Sequence, residues 1–244
     1  MFAHHSRHCF SRSHVLHTAL AIPLLGSAVL LLLGAPGALG ADGEGKSAME
    51  SDPAGWVDIL PAAGVEGWNR VPVPPTGKLG REQWHVDAAK KLMVCDGDGG
   101  HDMLLFNKPL GDAIFHAEFC YTKVEGETKY NSGLYIRNSA DGAIWHQAQV
   151  GGKSGGYLFG ETPKDGKKSF FTTDKQVKDG RVKDAGEWNT LELTARGQTI
   201  RLWINGAVTC EFNGCGAPTG FVGLEGEGYR IEFRNLKIKE LKPN

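Results

Sequence analysis

From Gly55 onward, apolar and polar positions alternate with a period of two, the period of a strand that buries one face and exposes the other. In residues 114–121, within AIFHAEFCYTK, Phe115, Ala117, Phe119 and Tyr121 share one side, with His116, Glu118 and Cys120 on the other. Residues 144–150, IWHQAQV, turn Ile144, Ala148 and Val150 inward and leave Trp145, Gln147 and Gln149 outside; His146 has the buried parity and reads as a satisfied core or edge histidine. In TIRLWINGA (199–207), Ile200, Leu202 and Ile204 point in, and Arg201 and Trp203 point out. FVGLEGE (221–227) buries Val222 and Leu224 and presents Glu225 and Glu227. Further short strands are expected in WVDIL, QWHVD, KLMVC, DMLLF, GLYIR, GYLFGE, EWNTLELTA, AVTCEF and YRIEFRNLKIKEL. Asn205-Gly206 between two such runs suits a type I′ hairpin turn.

About a dozen strands and no long amphipathic helix predict an all-β domain, a two-sheet antiparallel β-sandwich of jelly-roll type over residues 55–244. Residues 162–186, TPKDGKKSFFTTDKQVKDGRVKDAG, interrupt the pattern. They are expected as a long loop, either a lid packed down by Phe170 and Phe171 or a solvated surface excursion.

The N-terminus follows another rule. Residues 1–40 carry Arg7 and Arg12, no acid, a long apolar run, and Ala38 and Gly40 at the −3 and −1 positions before Ala41. That is the pattern of a signal peptide, with an uncleaved anchor as the alternative. Export to the periplasm or the exterior is expected, without stable membrane insertion after cleavage. Polar residues 41–54 read as a flexible linker.

Composition narrows the partners. The chain has 27 basic and 28 acidic side chains, and loss of the two leader arginines leaves 25 against 28, a formal charge of −3. Such a balance argues against nucleic acid. Cys95, Cys120, Cys210 and Cys215 remain after the leader, either as disulfides or as buried free thiols. CDGDGGHD (95–102) offers Asp96, Asp98, His101 and Asp102, but Asn107 stands where a calcium loop needs its final Glu, so a Gly-rich turn is the expectation. Neither a G-x-S-x-G elbow nor an H-E-x-x-H helix occurs.

The outward faces share a habit of amides, carboxylates and Trp. Side chains of this kind read sugar hydroxyls while aromatic rings pack on the C–H faces, although an ordinary solvated sheet face is also polar. YNSGLYIR, HQAQV, GEWNTLELTARGQTIRLWINGAV and GFVGLEGEGYRIEFRNLKIKEL resemble the 3-keto-disaccharide hydrolase domain family, from about Trp56 to Leu241. The resemblance implies a concanavalin A-like jelly roll and a saccharide or oxidised (3-keto) glycoside as ligand. The ketone acidifies the C2 proton, so a base can remove it, the glycosidic bond is lost by elimination, and water then adds. Asn131, Ser132, Gly133 and Arg137 match the family's N-S-G-x-x-x-R, and Gln149 matches the Gln of its E-x-Q. Gln147 stands where that motif has Glu, and Glu225 and Glu227 stand where the family reads Q-x-H. On this reading Arg137, Trp145, Gln147, Gln149, Trp203 and Glu225 bind substrate, and Glu118 and Glu227 are the acid/base candidates. The resemblance fixes no cofactor, leaves room for a divalent metal, and singles out no metal ligand. A non-catalytic carbohydrate-binding module on the same scaffold is the alternative.

Overall fold

The computed structural model describes residues 45–242; the leader and residues 41–44 of the expected linker lie outside them. Two antiparallel sheets face each other. Sheet A runs β13 (Ala207–Phe212), β12 (Thr199–Ile204), β11 (Asn189–Arg196), β6 (Ala113–Tyr121), β15 (Ile231–Glu240), β4 (Leu92–Cys95), β3 (Trp84–Asp87), with β1 (Val57–Asp58) also paired to β15. Sheet B runs β10 (Lys167–Thr172), β9 (Leu158–Lys164), β8 (Trp145–Gln149), β7 (Gly133–Asn138), β14 (Phe221–Gly226), β5 (Asp102–Phe106), β2 (Trp68–Pro72).

Alternation builds the core as the sequence predicts. Phe115, Phe119, Leu193, Leu202 and Phe233 of sheet A meet Leu104, Leu134, Ala148, Leu158 and Leu224 of sheet B in one continuous cluster. Each fully buried Phe or Leu contributes about 1.5–3 kcal/mol. The hairpin at Asn205-Gly206 forms with φ of 44° and 99°, the left-handed values that a type I′ turn demands. All four described cysteines are buried free thiols.

Two segments differ from expectation. The end of the expected linker is tied down: α1 (Ala48–Ser51) starts at Ser47, whose hydroxyl accepts from the Glu50 N–H at 3.1 Å while Glu50 accepts from the Ser47 N–H at 2.8 Å. The buried Glu192 carboxylate on the outer face of sheet A accepts from the N–H groups of Ala48 and Met49 at 2.5 and 3.1 Å. The S-x-x-E capping box lies within a polar stretch with no periodicity to announce it. In the expected loop 162–186, residues 162–172 form most of a β-hairpin, turning at Asp165-Gly166 where both φ values are positive. Its outer strand β10 is lysine-rich, as an unpaired sheet edge requires, and that charge masks its strand character in the sequence. No described helix is long and apolar enough to cross a membrane.

Candidate functional site

The outer face of sheet B carries a second, smaller apolar cluster, Val71, Met103, Leu105 and Tyr135, packed with Val73, Trp145 and Phe221. It floors a cleft of about 480 Å³. Gln147, Gln149 and Trp145 enter from β8, Tyr135 from β7, and Glu225 and Glu227 from β14 and the turn beyond it. His101 stands just before β5, Asn131 just before β7, and Pro74 and Pro75 form a wall. No Lys or Arg is among the lining residues.

Glu225 is the hub. It is 3% exposed, and both its oxygens are engaged. Oε1 accepts from the Tyr135 hydroxyl at 2.7 Å and lies 2.9 Å from His101 Nε2; Oε2 accepts from Gln147 Nε2 at 2.5 Å. The Ser132 hydroxyl donates to the Glu225 carbonyl at 2.8 Å, fixing the backbone as well. Gln147 reaches Glu225 across β7 because the residue between them is Gly133. A Cβ at that position would stand 2.1 Å from Gln147 Nε2. Gly133 pairs with Gln149, and Leu134 with Leu224, which sets Glu225 opposite Gly133.

Glu227 is more open. Its Oε2 accepts from Asn131 Nδ2 at 2.5 Å and lies 3.7 Å from His101 Nε2. Burial and the neighbouring Glu225 charge raise its pKa above the usual carboxylate value, with His101 pulling the other way. For His101, burial favours the neutral ring, but the hydrogen bond to Glu225 and the charges of Glu225, Glu227 and Asp102 outweigh it, and its pKa is raised. Tyr135 is driven far up by burial and the Glu225 charge, so it stays a hydroxyl donor. Glu225, Glu227 and Asp102 thus favour the protonated form of His101.

Ligand atoms of His101, Glu225 and Glu227 all lie within 4.8 Å of one another. One imidazole and two carboxylates suit a divalent cation such as Zn²⁺ or Mn²⁺. With Glu227 partly open to the cleft, the residues fit such an ion.

The structure gathers Trp145, Gln147, Gln149, Glu225 and Glu227 in this cleft, and it sets the other three candidates elsewhere. Arg137 is buried at the end of the sandwich, where its guanidinium donates to the carbonyls of Gly111 (3.1 Å) and Ala217 and pairs with Asp112 at 2.8 Å. The cause is a bulge. Between Asn138 and Tyr135, β7 holds two residues against Val222 alone, and Arg137 has a φ of 57°, so strict alternation fails at this residue. Glu118 projects from sheet A, bound to Arg234 (2.7 Å) and Asn235 (2.5 Å), with the Arg234 guanidinium stacked 3.9 Å over Trp188. Trp203 lies on sheet A as well, opposite Glu192. Period-two reading tells which face a residue takes but not which sheet it belongs to.

Sequence reasoning gives no role to Tyr135, marks His101 only within a Gly-rich turn, and marks Asn131 only as a motif match; all three line the cleft. In CDGDGGHD the acids are consumed by arginines: Asp96 by Arg230, Asp98 by Arg81, and Asp102 by Arg70 at 2.5 Å. The Gly-rich turn thereby delivers only His101 to the cleft. Tyr135 was legible, since it shares the parity of Gly133.

The sequence pattern of the family described as 3-keto-alpha-glucoside-1,2-lyase-like domain matches residues 55–239. Comparison with curated proteins gives no match. Among solved structures, the chain is similar to a candidate glycosyl hydrolase of Parabacteroides distasonis, with a TM-score of 0.54 and 16% identity over 81% of this chain and 99% of that one. A second from the same organism gives 0.52 and 17% over 76% and 99%. The carbohydrate-binding module CBM66 of Bacillus subtilis gives 0.49 and 15% over 71% and 96%. At these identities the likeness is one of fold.

Proposed function

This chain belongs to the 3-keto-alpha-glucoside-1,2-lyase-like domain family, and on that premise we propose that the cleft on sheet B cleaves glycosides oxidised to a ketone at C3, outside the cytoplasm. The observation that carries the reading is the convergence of Glu227, His101 and Glu225 in one cleft walled by amides and Trp145.

Glu227 is the base. Its Oε1 has no partner among the described residues, and its raised pKa makes it a stronger proton acceptor than a surface carboxylate. It takes the C2 proton, the C1–O bond breaks, and the departing oxygen receives a proton from His101. Water then adds at C1 while a proton returns to C2, which completes a hydrolysis without the carboxylate pair of ordinary glycosidases. Glu225, with both oxygens engaged, orients His101 and holds its proton. Gln147 and Gln149 offer amides to hydroxyls, and Trp145 offers a ring face. A divalent cation held by His101, Glu225 and Glu227 would polarise the ketone in place of this arrangement: His101 would then be a neutral ligand, and the leaving-group proton would come from water.

The departure at Gln147 is offset. Gln147 donates to Glu225 at 2.5 Å, so the strand pair still holds one carboxylate and one amide, with their positions exchanged relative to the family pattern. This supports an enzyme over a module that only binds.

The test is Glu227→Gln on a 3-keto disaccharide. Turnover is expected to fall by about 100-fold or more, with substrate affinity kept within about threefold. Unchanged turnover would remove Glu227 as the base.

A further inference from the structure

Beyond the cleft, the outer face of sheet B continues over β9 and β10. Strand register sets Glu161 opposite Trp145 and Phe170 opposite Glu161, so the three side chains form a row across three strands. The next row holds Gln147, Phe159 and Thr172. Phe159 meets Trp145 edge-on with ring centroids 5.0 Å apart, and Tyr157 lies 5.5 Å from Phe159. Trp145 and Phe159 line the cleft, while Tyr157, Glu161 and Phe170 lie outside it.

Phe170 is 60% exposed, the most exposed of the large hydrophobic side chains described. The fold does not need it there. Its neighbour Phe171 does the packing, turned inward and stacked on Phe212 at 3.6 Å and 8°. The Glu161 carboxylate, between Phe170 and Trp145, has no partner among the described residues. A ring face beside a free carboxylate suits a pyranose, which offers C–H groups to one and hydroxyls to the other.

Spacing decides how far the ligand reaches. Neighbouring strands lie about 4.8 Å apart, close to the length of one hexose unit, so Phe170 stands about 10 Å beyond Trp145. A sugar over Gln147 and Glu225 puts its neighbour over Trp145 and Phe159, and a third unit over Glu161 and Phe170. We infer that Phe170 and Glu161 form a distal subsite that takes the third sugar of an oligosaccharide, and that the protein selects its glycosides by chain length. This rests on the cleft being a saccharide site, and it adds a substrate longer than a disaccharide.

The test is calorimetric titration with two glucose ladders, methyl α-glucoside, maltose and maltotriose, and methyl β-glucoside, cellobiose and cellotriose. Wild type is expected to bind one trisaccharide about tenfold more tightly than its disaccharide. Phe170→Ala should abolish that gain and leave the shorter sugars unchanged, and Phe170→Trp should retain it. Equal affinity for di- and trisaccharide, no binding of either ladder, or a gain that survives in Phe170→Ala each overturn the inference. So does a change of oligomeric state in Phe170→Ala without a change in glycan affinity, which would make the patch a contact between copies of the chain. Turnover of the 3-keto disaccharide is scored separately. Turnover without a length effect leaves the reaction standing and removes the subsite; a length effect without turnover does the reverse.

Discussion

Gly133 illustrates how one missing side chain shapes the cleft. Gln147 lies across it to reach Glu225, and any Cβ there collides with the amide. Gly133→Ala should therefore displace Gln147 and break a charge-assisted hydrogen bond, at a cost of about 1–3 kcal/mol in urea unfolding. In a Gln147→Ala background the same substitution should cost less than about 0.5 kcal/mol, because the colliding group is gone. An equal cost in both backgrounds would show that the clash is not with Gln147. Residues at this scale were unevenly legible. Gln147, Gln149, Trp145, Glu225 and Glu227 follow from alternation, because their strands are regular. Arg137 does not, because a bulge re-aims it. His101 does not, because the fates of Asp96, Asp98 and Asp102 depend on arginines distant in sequence.

At the scale of elements, the strands with clean alternation were readable, and the two elements made from charged or irregular sequence were not. The hairpin of β9 and β10 hides behind Lys167 and Lys168, and α1 behind a polar stretch without periodicity. The segment around α1 bears load. Glu192, buried beside His116 at 2.8 Å, depends on the amides of Ala48 and Met49 for two of its hydrogen bonds. A protein starting at residue 53 should be less stable by about 1–3 kcal/mol than one starting at residue 45, read from the urea midpoint. Identical midpoints would mean that this segment is the free linker that its composition suggests.

For the whole molecule, the two sheets divide the labour. Sheet A spends its outer face on anchoring: Glu118 on Arg234, and Glu192 on His116 and the N-terminal segment. Sheet B leaves its outer face open, with an acid–imidazole–acid group at one end and an aromatic row leading to the edge strand. A sequence read one strand at a time gives the faces of both sheets alike; only topology tells which face is free. The all-β, two-sheet architecture was legible throughout, because the core pattern runs the length of the domain. The central claim is that the open face removes a proton from C2 rather than attacking C1 directly. Running the reaction on a 3-keto disaccharide in D₂O tests this, with the free product incubated alone to correct for spontaneous exchange. Elimination followed by hydration predicts one deuterium at C2 of the released keto sugar. Cleavage that leaves the original hydrogen at C2 would contradict it.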